Sequence, residues 1–211
     1  MPELPVGATT QPITAVQQAA KKRKMRPGGG KAKGNGFEGT IAKKLTAALQ
    51  PLNFIRTPGS GARVGGKNFD TIGQMFGEDA LKIFVGDVCV VNERQTGLKF
   101  MHSIECKFYA TPDNFTSLVA GTANVFKWFG EAIDDAAKVD KNPLLIFKWN
   151  HTPIFVGVDL TFDKATYTEL ALALSRANLQ PLLSLVTKER CIDLFYLDDL
   201  LKVPGFWYTQ A

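Results

Sequence analysis

The sequence predicts an α/β sandwich, a mixed central sheet flanked by helices. Three observations predict it. Helical four-residue periodicity alternates along the chain with β-branched and aromatic runs. The resulting order, α-β-β-β-α-β-β-α-β-α, interleaves helices with strands and so puts helices on the faces of a sheet. Apolar residues make up 45% of the 211, enough for the core of one ordinary domain with a segment appended. There is no internal repeat, and no Rossmann or P-loop glycine fingerprint.

The first helix is expected from about Gly36 to Gln50. Phe37, Ile41, Leu45 and Leu49 recur every fourth residue, Gly34 to Gly36 mark the start, and Pro51 marks the end. A short strand follows at Phe54–Arg56, then a polar glycine-rich loop within NFIRTPGSGARVGG. Residues 69–83 are ambiguous, with room for a short helix over Asp70–Phe76. The runs IFVGDVCVV and FMHSIECKFY flank a polar turn containing Gly97, which predicts an antiparallel hairpin. Residues 114–139 are mainly helical by pattern, with Phe115, Leu118, Val119, Val125, Phe126, Phe129 and Ile133 as core candidates. PLLIFKWN and IFVGVDL predict two strands around His151–Pro153. Tyr167–Ala177 is helical, CIDLFYL a strand, and Asp198–Val203 a closing helical turn.

Composition excludes several function classes. No apolar run approaches the roughly 18 residues of a membrane span, and no apolar stretch near the N-terminus suggests a secretory signal. Cys89, Cys106 and Cys191 are odd in number and lack CxxC spacing, and only His102 and His151 could join them. A zinc finger or disulfide scaffold is therefore not expected, and the reducing cytoplasm is the expected compartment.

The charge divides the chain in two. Residues 1–36 carry seven cations, Lys21, Lys22, Arg23, Lys24, Arg26, Lys31 and Lys33, against the single acid Glu3; the rest carries 18 Lys and Arg against 19 acids. Residues 1–35 are expected to be a flexible basic arm, and 36–211 the folded domain with a C-terminal extension from about 160. Such an arm attracts the phosphate backbone by releasing counterions, without reading sequence. A solubilising or targeting tail is the other reading of the same composition.

The hairpin carries the chemistry. A turn centred on Thr96 sets Asp87 opposite Glu105, with Cβ atoms about 4.5–5.5 Å apart. Lys107 follows Glu105 by two residues and so shares its face of the sheet. Acid and lysine alternating on a hairpin usually form a solvated face. Here Ile83–Val85, Val88, Val90, Val91 and Ile104 embed the charges in apolar strands, where carboxylates without a partner are expensive. Two converging carboxylates with a lysine form a hard-oxygen site suited to Mg²⁺, or to Mn²⁺ in its place. Cys106, between them, points to the opposite face as a small buried hydrophobe. Lys148, in an apolar strand, fits either contact with DNA or a rim lysine with a snorkelling stem. The three tryptophans read as core, and the two histidines have no evident partner.

Glu38 in the first helix, Gly86–Asp87 and the ECK of Glu105–Lys107 resemble the PD-(D/E)XK nuclease signature. Within that superfamily the chain is most similar to archaeal and phage Holliday-junction resolvases. GNGFEGTIAKKL resembles their opening helix, with Glu38 as its acid. RTPGSGAR resembles their arginine and SGS-type loop, with Ser60 in the place of a serine that matters for activity. PLLIFKWNHTPIFV resembles the strand pair after their central helix. The resemblance covers roughly residues 34–159; the 23 residues between the SG loop and Asp87, the segment 160–211 and the basic arm depart from a minimal resolvase.

The resemblance implies a restriction-endonuclease-like sandwich and a metal-dependent DNA endonuclease acting on Holliday junctions or other branched DNA. Asp87 and Glu105 would hold the metal, Lys107 assist the attacking water, and Glu38 complete the acidic cluster, directly or through water. Ser60 would be the matching loop serine and, with Arg63, help position the phosphate. Lys67 joins Arg63 and the arm cations as DNA-binding candidates. Symmetric cutting of a junction needs two sites, hence a homodimer. A phage origin, with action in the host cytoplasm, suits a small basic-tailed nuclease. A restriction- or repair-type nuclease on linear duplex, or a non-catalytic nucleic-acid-binding protein with a nuclease-like core, are the alternatives.

Overall fold

The computed structural model describes residues 29–58, 85–159, 164–187 and 190–210. Its elements run α1 (Gly29–Ala48), β1 (Phe54–Arg56), β2 (Val88–Val90), α2 (Glu93–Thr96), β3 (Leu98–Phe100), β4 (His102–Tyr109), α3 (Phe115–Val119) and α4 (Asn124–Ala137). They continue with β5 (Asn142–Trp149), β6 (Phe155–Asp159), α5 (Lys164–Arg176), β7 (Leu183–Val186), β8 (Cys191–Tyr196), α6 (Leu197–Leu200), α7 (Pro204–Trp207) and β9 (Tyr208–Gln210).

Seven strands form the main sheet in the order β1-β2-β4-β5-β6-β8-β7. The neighbours β4 and β5 are parallel, joined through α3 and α4; the other pairs are antiparallel. A parallel pair requires such a crossover, and the helix that makes it covers one face of the sheet. β3 and β9 form a separate two-stranded ribbon. This is the restriction-endonuclease-like αβ sandwich that the resemblance implies.

Each face of the sheet has its own core. On one side Phe37, Ile41, Leu45 and Leu49 of α1 are buried against Ile104, Cys106, Leu144 and Ile146, together with Phe206 and Trp207 of α7. On the other side Val125, Trp128 and Phe129 of α4 pack on Leu145, Phe147, Ile192 and Leu194. The alternation along β5, with Leu144 and Ile146 to one side and Leu145 and Phe147 to the other, is the pleat of a strand buried on both faces. α4 buries Val125, Trp128, Phe129, Ala132 and Ala136, one helical stripe. The Asp113 carboxylate caps it, accepting from the backbone N–H groups of Asn124 at 3.1 Å and Val125 at 3.3 Å.

The strand over Phe54–Arg56 lies where its sequence puts it, and α1 carries the expected apolar stripe. Four features differ. α1 starts at Gly29, seven residues before Gly36; Lys33 secures this turn by laying its ammonium 3.7 Å from the Phe108 ring centroid and donating to Asn150 Oδ1 at 2.9 Å. The segment between β2 and β4 is not a tight turn but one helical turn closed by Gly97 in the left-handed region (φ 67°), followed by β3. The 114–139 helix is broken at Gly121 (φ 70°) into α3 and α4. As a result Phe115 and Val119 are 79% and 72% exposed and belong to no core. The ribbon β3–β9 and the edge strand β7 carry no sequence signal that predicted them. The expected helix over Asp70–Phe76 lies outside the described residues.

Candidate active site

The acidic pair is assembled by backbone geometry. Val88 pairs with Ile104 in the antiparallel β2–β4 ladder, and this register brings Asp87, just before β2, beside Glu105 and Cys106 of β4. Gly86 delivers the aspartate. It adopts φ +81°, and a Cβ there would stand 2.9 Å from the Ile104 carbonyl oxygen and 3.1 Å from Ser103 Oγ. Only glycine combines that dihedral with that approach. The Asp87 N–H then donates to the Ile104 carbonyl at 2.7 Å, and Asp87 Oδ2 accepts the Cys106 N–H at 2.9 Å. The aspartate is thereby fixed over the backbone of the residue that follows Glu105.

Lys107 joins the same face. Its ammonium stands 2.6 Å from Glu105 Oε1 and 2.7 Å from Glu131 Oε2, which reaches across from α4. Glu105 and Lys107 expose only 12% and 20% of their side chains. Burial, then the charge of Asp87, push the Glu105 carboxyl up to about 7, against the pull of Lys107. Asp135 adds to the same effect. Burial disfavours the Lys107 charge, but Glu105 and Glu131 outweigh it and raise its pKa. Lys107 is thereby favoured as a cation beside Glu105.

Glu131 is a residue the sequence reading missed. It lies four residues from both Lys127 and Asp135 on α4, and the Lys127 contact is 4.0 Å. A charged stripe at helical spacing beside the buried face was the available signal.

Glu38 comes from α1 and acts on Cys106 along with Asp87 and Glu105. It is buried on α1, on the side of the sheet where Cys106 packs, and it accepts from Arg56 Nε at 2.5 Å. Arg56 also donates to Asn35 Oδ1 at 2.9 Å. Its charge is felt by the Cys106 thiol, whose pKa is raised first by burial, then by Asp87 and Glu105, and then by Glu38. Among the described residues no three acids, histidines or thiols gather closely enough to enclose a metal ion. The structure thus brings Asp87, Glu105 and Lys107 together, and pairs Glu38 with Arg56 near Cys106. The Thr57 N–H donates to the Asp87 carbonyl at 2.9 Å, so the segment leading to Ser60 departs from beside Asp87. Ser60, Arg63, Lys67 and the arm cations Lys21, Lys22, Arg23, Lys24 and Arg26 lie outside the described residues, whereas Lys31 and Lys33 fall within α1.

His102 has no part in this chemistry. Its Nε2 lies 2.7 Å from the Phe206 carbonyl, and burial holds its pKa down to about 4. It is a neutral core residue, stacked on Phe206.

A pair of oxygen donors fits a hard divalent ion on one observation above all. Glu105 is driven toward protonation at neutral pH although a lysine already pairs with it. Burial is the first cause of that shift, and around it three carboxylates, Asp87, Glu105 and Glu131, share the cation Lys107, so a further cation would relieve the site. Two carboxylates leave most coordination positions of such an ion to water and phosphate oxygens, as a phosphoryl-cleaving site requires.

Among the described residues no helix is long and apolar enough to cross a membrane. No curated protein and no solved structure matches the chain. A family model described as "Phage putative PDDEXK endonuclease" matches residues 29–198, which is most of the chain and includes α1, the Gly86–Asp87 step and the ECK strand. With the αβ sandwich and the paired carboxylates on its β2–β4 ladder, the chain belongs to the phage PDDEXK endonuclease family, and it is a nuclease of the PD-(D/E)XK superfamily.

Proposed function

We propose that this nuclease is a metal-dependent endodeoxyribonuclease acting on branched DNA, Holliday junctions foremost. The observation that carries the metal dependence is the Glu105 carboxyl, raised to about 7 by burial and by Asp87. Asp87 and Glu105 would hold Mg²⁺, with Mn²⁺ able to substitute, and the Cys106 carbonyl would be a further oxygen donor. When bound, the ion polarises the scissile phosphate and lowers the pKa of a water. Lys107, a cation beside Glu105, orients that water and offsets the negative charge that develops on the phosphate. Glu131 holds the Lys107 ammonium in place. Glu38 completes the acidic cluster, directly or through water, and Arg56 holds its carboxylate. Ser60, Arg63 and Lys67, on the loop that follows Thr57, position the phosphate.

Residues 1–35 act as a basic arm on the DNA backbone, with 29–35 already in the first turns of α1, and 36–211 as the nuclease domain with its C-terminal extension. Cutting a junction symmetrically calls for a homodimer acting in the host cytoplasm. The resemblance of the opening helix, the SG loop and the ECK strand to junction resolvases supports the branched substrate over linear duplex. Cleavage of matched four-way junction, flap and linear duplex DNA, with Mg²⁺ or with EDTA, tests the reading. Junction cutting that EDTA stops is expected. Equal cutting of linear duplex would replace branched DNA with a restriction- or repair-type substrate, and no cutting of any substrate would leave a binding protein.

A further inference from the structure

Two lysines from distant parts of the chain converge on one aromatic ring. Lys33 of α1 places its ammonium 3.7 Å from the Phe108 ring centroid, and Lys148 of β5 places its own 5.2 Å from the same centroid. Phe108 and Lys148 are register partners on the parallel strands β4 and β5. Phe108 packs with the core under α1, so the cluster sits on the sheet face opposite Glu105 and Lys107. Lys33 also donates to Asn150 Oδ1. Neither ammonium has a carboxylate partner among the described residues.

The ring and one amide oxygen satisfy the two cations only in part. An anion within reach of them would add charge-assisted bonds that they lack. A phosphate suits the geometry, since its oxygens accept from several ammonium groups at once, and Lys binds phosphate as a point charge. α1 continues directly from the chain that carries Lys21 to Arg26, so the cluster stands where that basic run meets the folded domain. Its place at the C-terminal ends of β4 and β5 puts it one residue along the strand from Lys107, through the sheet.

We infer that Lys33, Lys148 and Asn150, seated on Phe108, form a binding site for a DNA backbone phosphate outside the cleavage site. The inference rests on the nuclease reading only for the identity of its ligand. The site anchors DNA as it passes the C-terminal edge of β4 and β5, and it reads charge without reading sequence.

The test is DNA binding in EDTA across a salt series, by fluorescence anisotropy, on a linear duplex and a matched four-way junction. The double variant Lys33→Ala with Lys148→Ala should lower the slope of log K against log salt by about 0.9, the one phosphate the two lysines share, and each single variant by part of that. The loss should be the same on both DNAs. Lys33→Arg with Lys148→Arg should keep the wild-type slope. Lys202→Ala, whose lysine pairs with Asp199 on the surface, should leave it unchanged. A wild-type slope in the double alanine variant overturns the site. So does a loss shared by the alanine and arginine variants together with a lowered Tm, which would assign the effect to the folding of α1. Mg²⁺-dependent cleavage by the wild-type protein is measured separately. Its absence would remove the nuclease reading while leaving the slope result intact, and an unchanged slope would remove the phosphate site while leaving cleavage intact.

Discussion

The two faces of β4 answer to different demands. Ile104, Cys106 and Phe108 point toward α1 and share its apolar core, whose buried side chains favour folding. Glu105, Lys107 and Tyr109 point toward α4, where Lys107 meets Glu131 and the Tyr109 ring lies tilted against Trp128 with centroids 4.6 Å apart. The first face is what a sheet needs in order to fold. The second confines a carboxylate that burial and Asp87 push toward protonation, which opposes folding at neutral pH. Residues that weaken the fold while assembling two acids and a lysine are kept for chemistry. The difference between the faces therefore predicts that substitutions on one side act on stability and on the other act on cleavage.

The largest effect expected is on cleavage. Asp87→Ala or Glu105→Ala should lower the rate by about a thousandfold or more, since each removes an ion-holding oxygen pair, while DNA binding stays near wild type. Single-turnover cleavage and binding in EDTA, measured side by side, check this. Wild-type cleavage by Glu105→Ala would erase the distinction between the faces. Lys107→Ala should cost about a hundredfold, the usual scale for one charge-stabilising donor. It should leave metal binding in place, which separates the cation's role from that of the two acids.

Turning to the other face, Ile104→Ala should destabilise the fold by about 3 kcal/mol, because the site is fully buried between α1 and the sheet. The expected readout is a lowered midpoint in urea, with cleavage per folded molecule unchanged. A smaller effect sharpens the account of Glu105. Its folded pKa lies above the unfolded value, so the folded state binds the extra proton. The stability this proton confers is fully present below about 4.5 and is lost as pH rises through about 7. Glu105→Gln should flatten that dependence and stabilise the metal-free protein at pH 8 by on the order of 2 kcal/mol. Urea melts at pH 5 and pH 8 in EDTA decide it; parallel pH dependence in both proteins would mean that Glu105 is relaxed by its surroundings.

Much of this was legible in the sequence, and the parts that were not have physical reasons. The pairing of Asp87 with Glu105 followed from a turn assumed at Thr96. The register holds although the connection is a helical turn and a strand of another ribbon. Apolar alternation on both strands fixed it, because a one-residue slip would have buried the charges in the α1 core. The start of α1 was misplaced because glycines disfavour helix, and the contact of Lys33 with Phe108 and Asn150 is tertiary. Phe115 and Val119 read as core because the break at Gly121 leaves the periodicity on either side intact. Glu131 was visible only as part of a surface stripe, since nothing local tells which helical acid meets a strand lysine.

The central claim is that Asp87 and Glu105 together hold a divalent ion. Calorimetric titration of the wild-type protein, Asp87→Ala and Glu105→Ala with Mn²⁺ in the absence of DNA tests it most directly, with circular dichroism to verify folding. Binding by the wild-type protein and its loss in both folded variants is the predicted result. Undiminished Mn²⁺ binding by folded Glu105→Ala would contradict it.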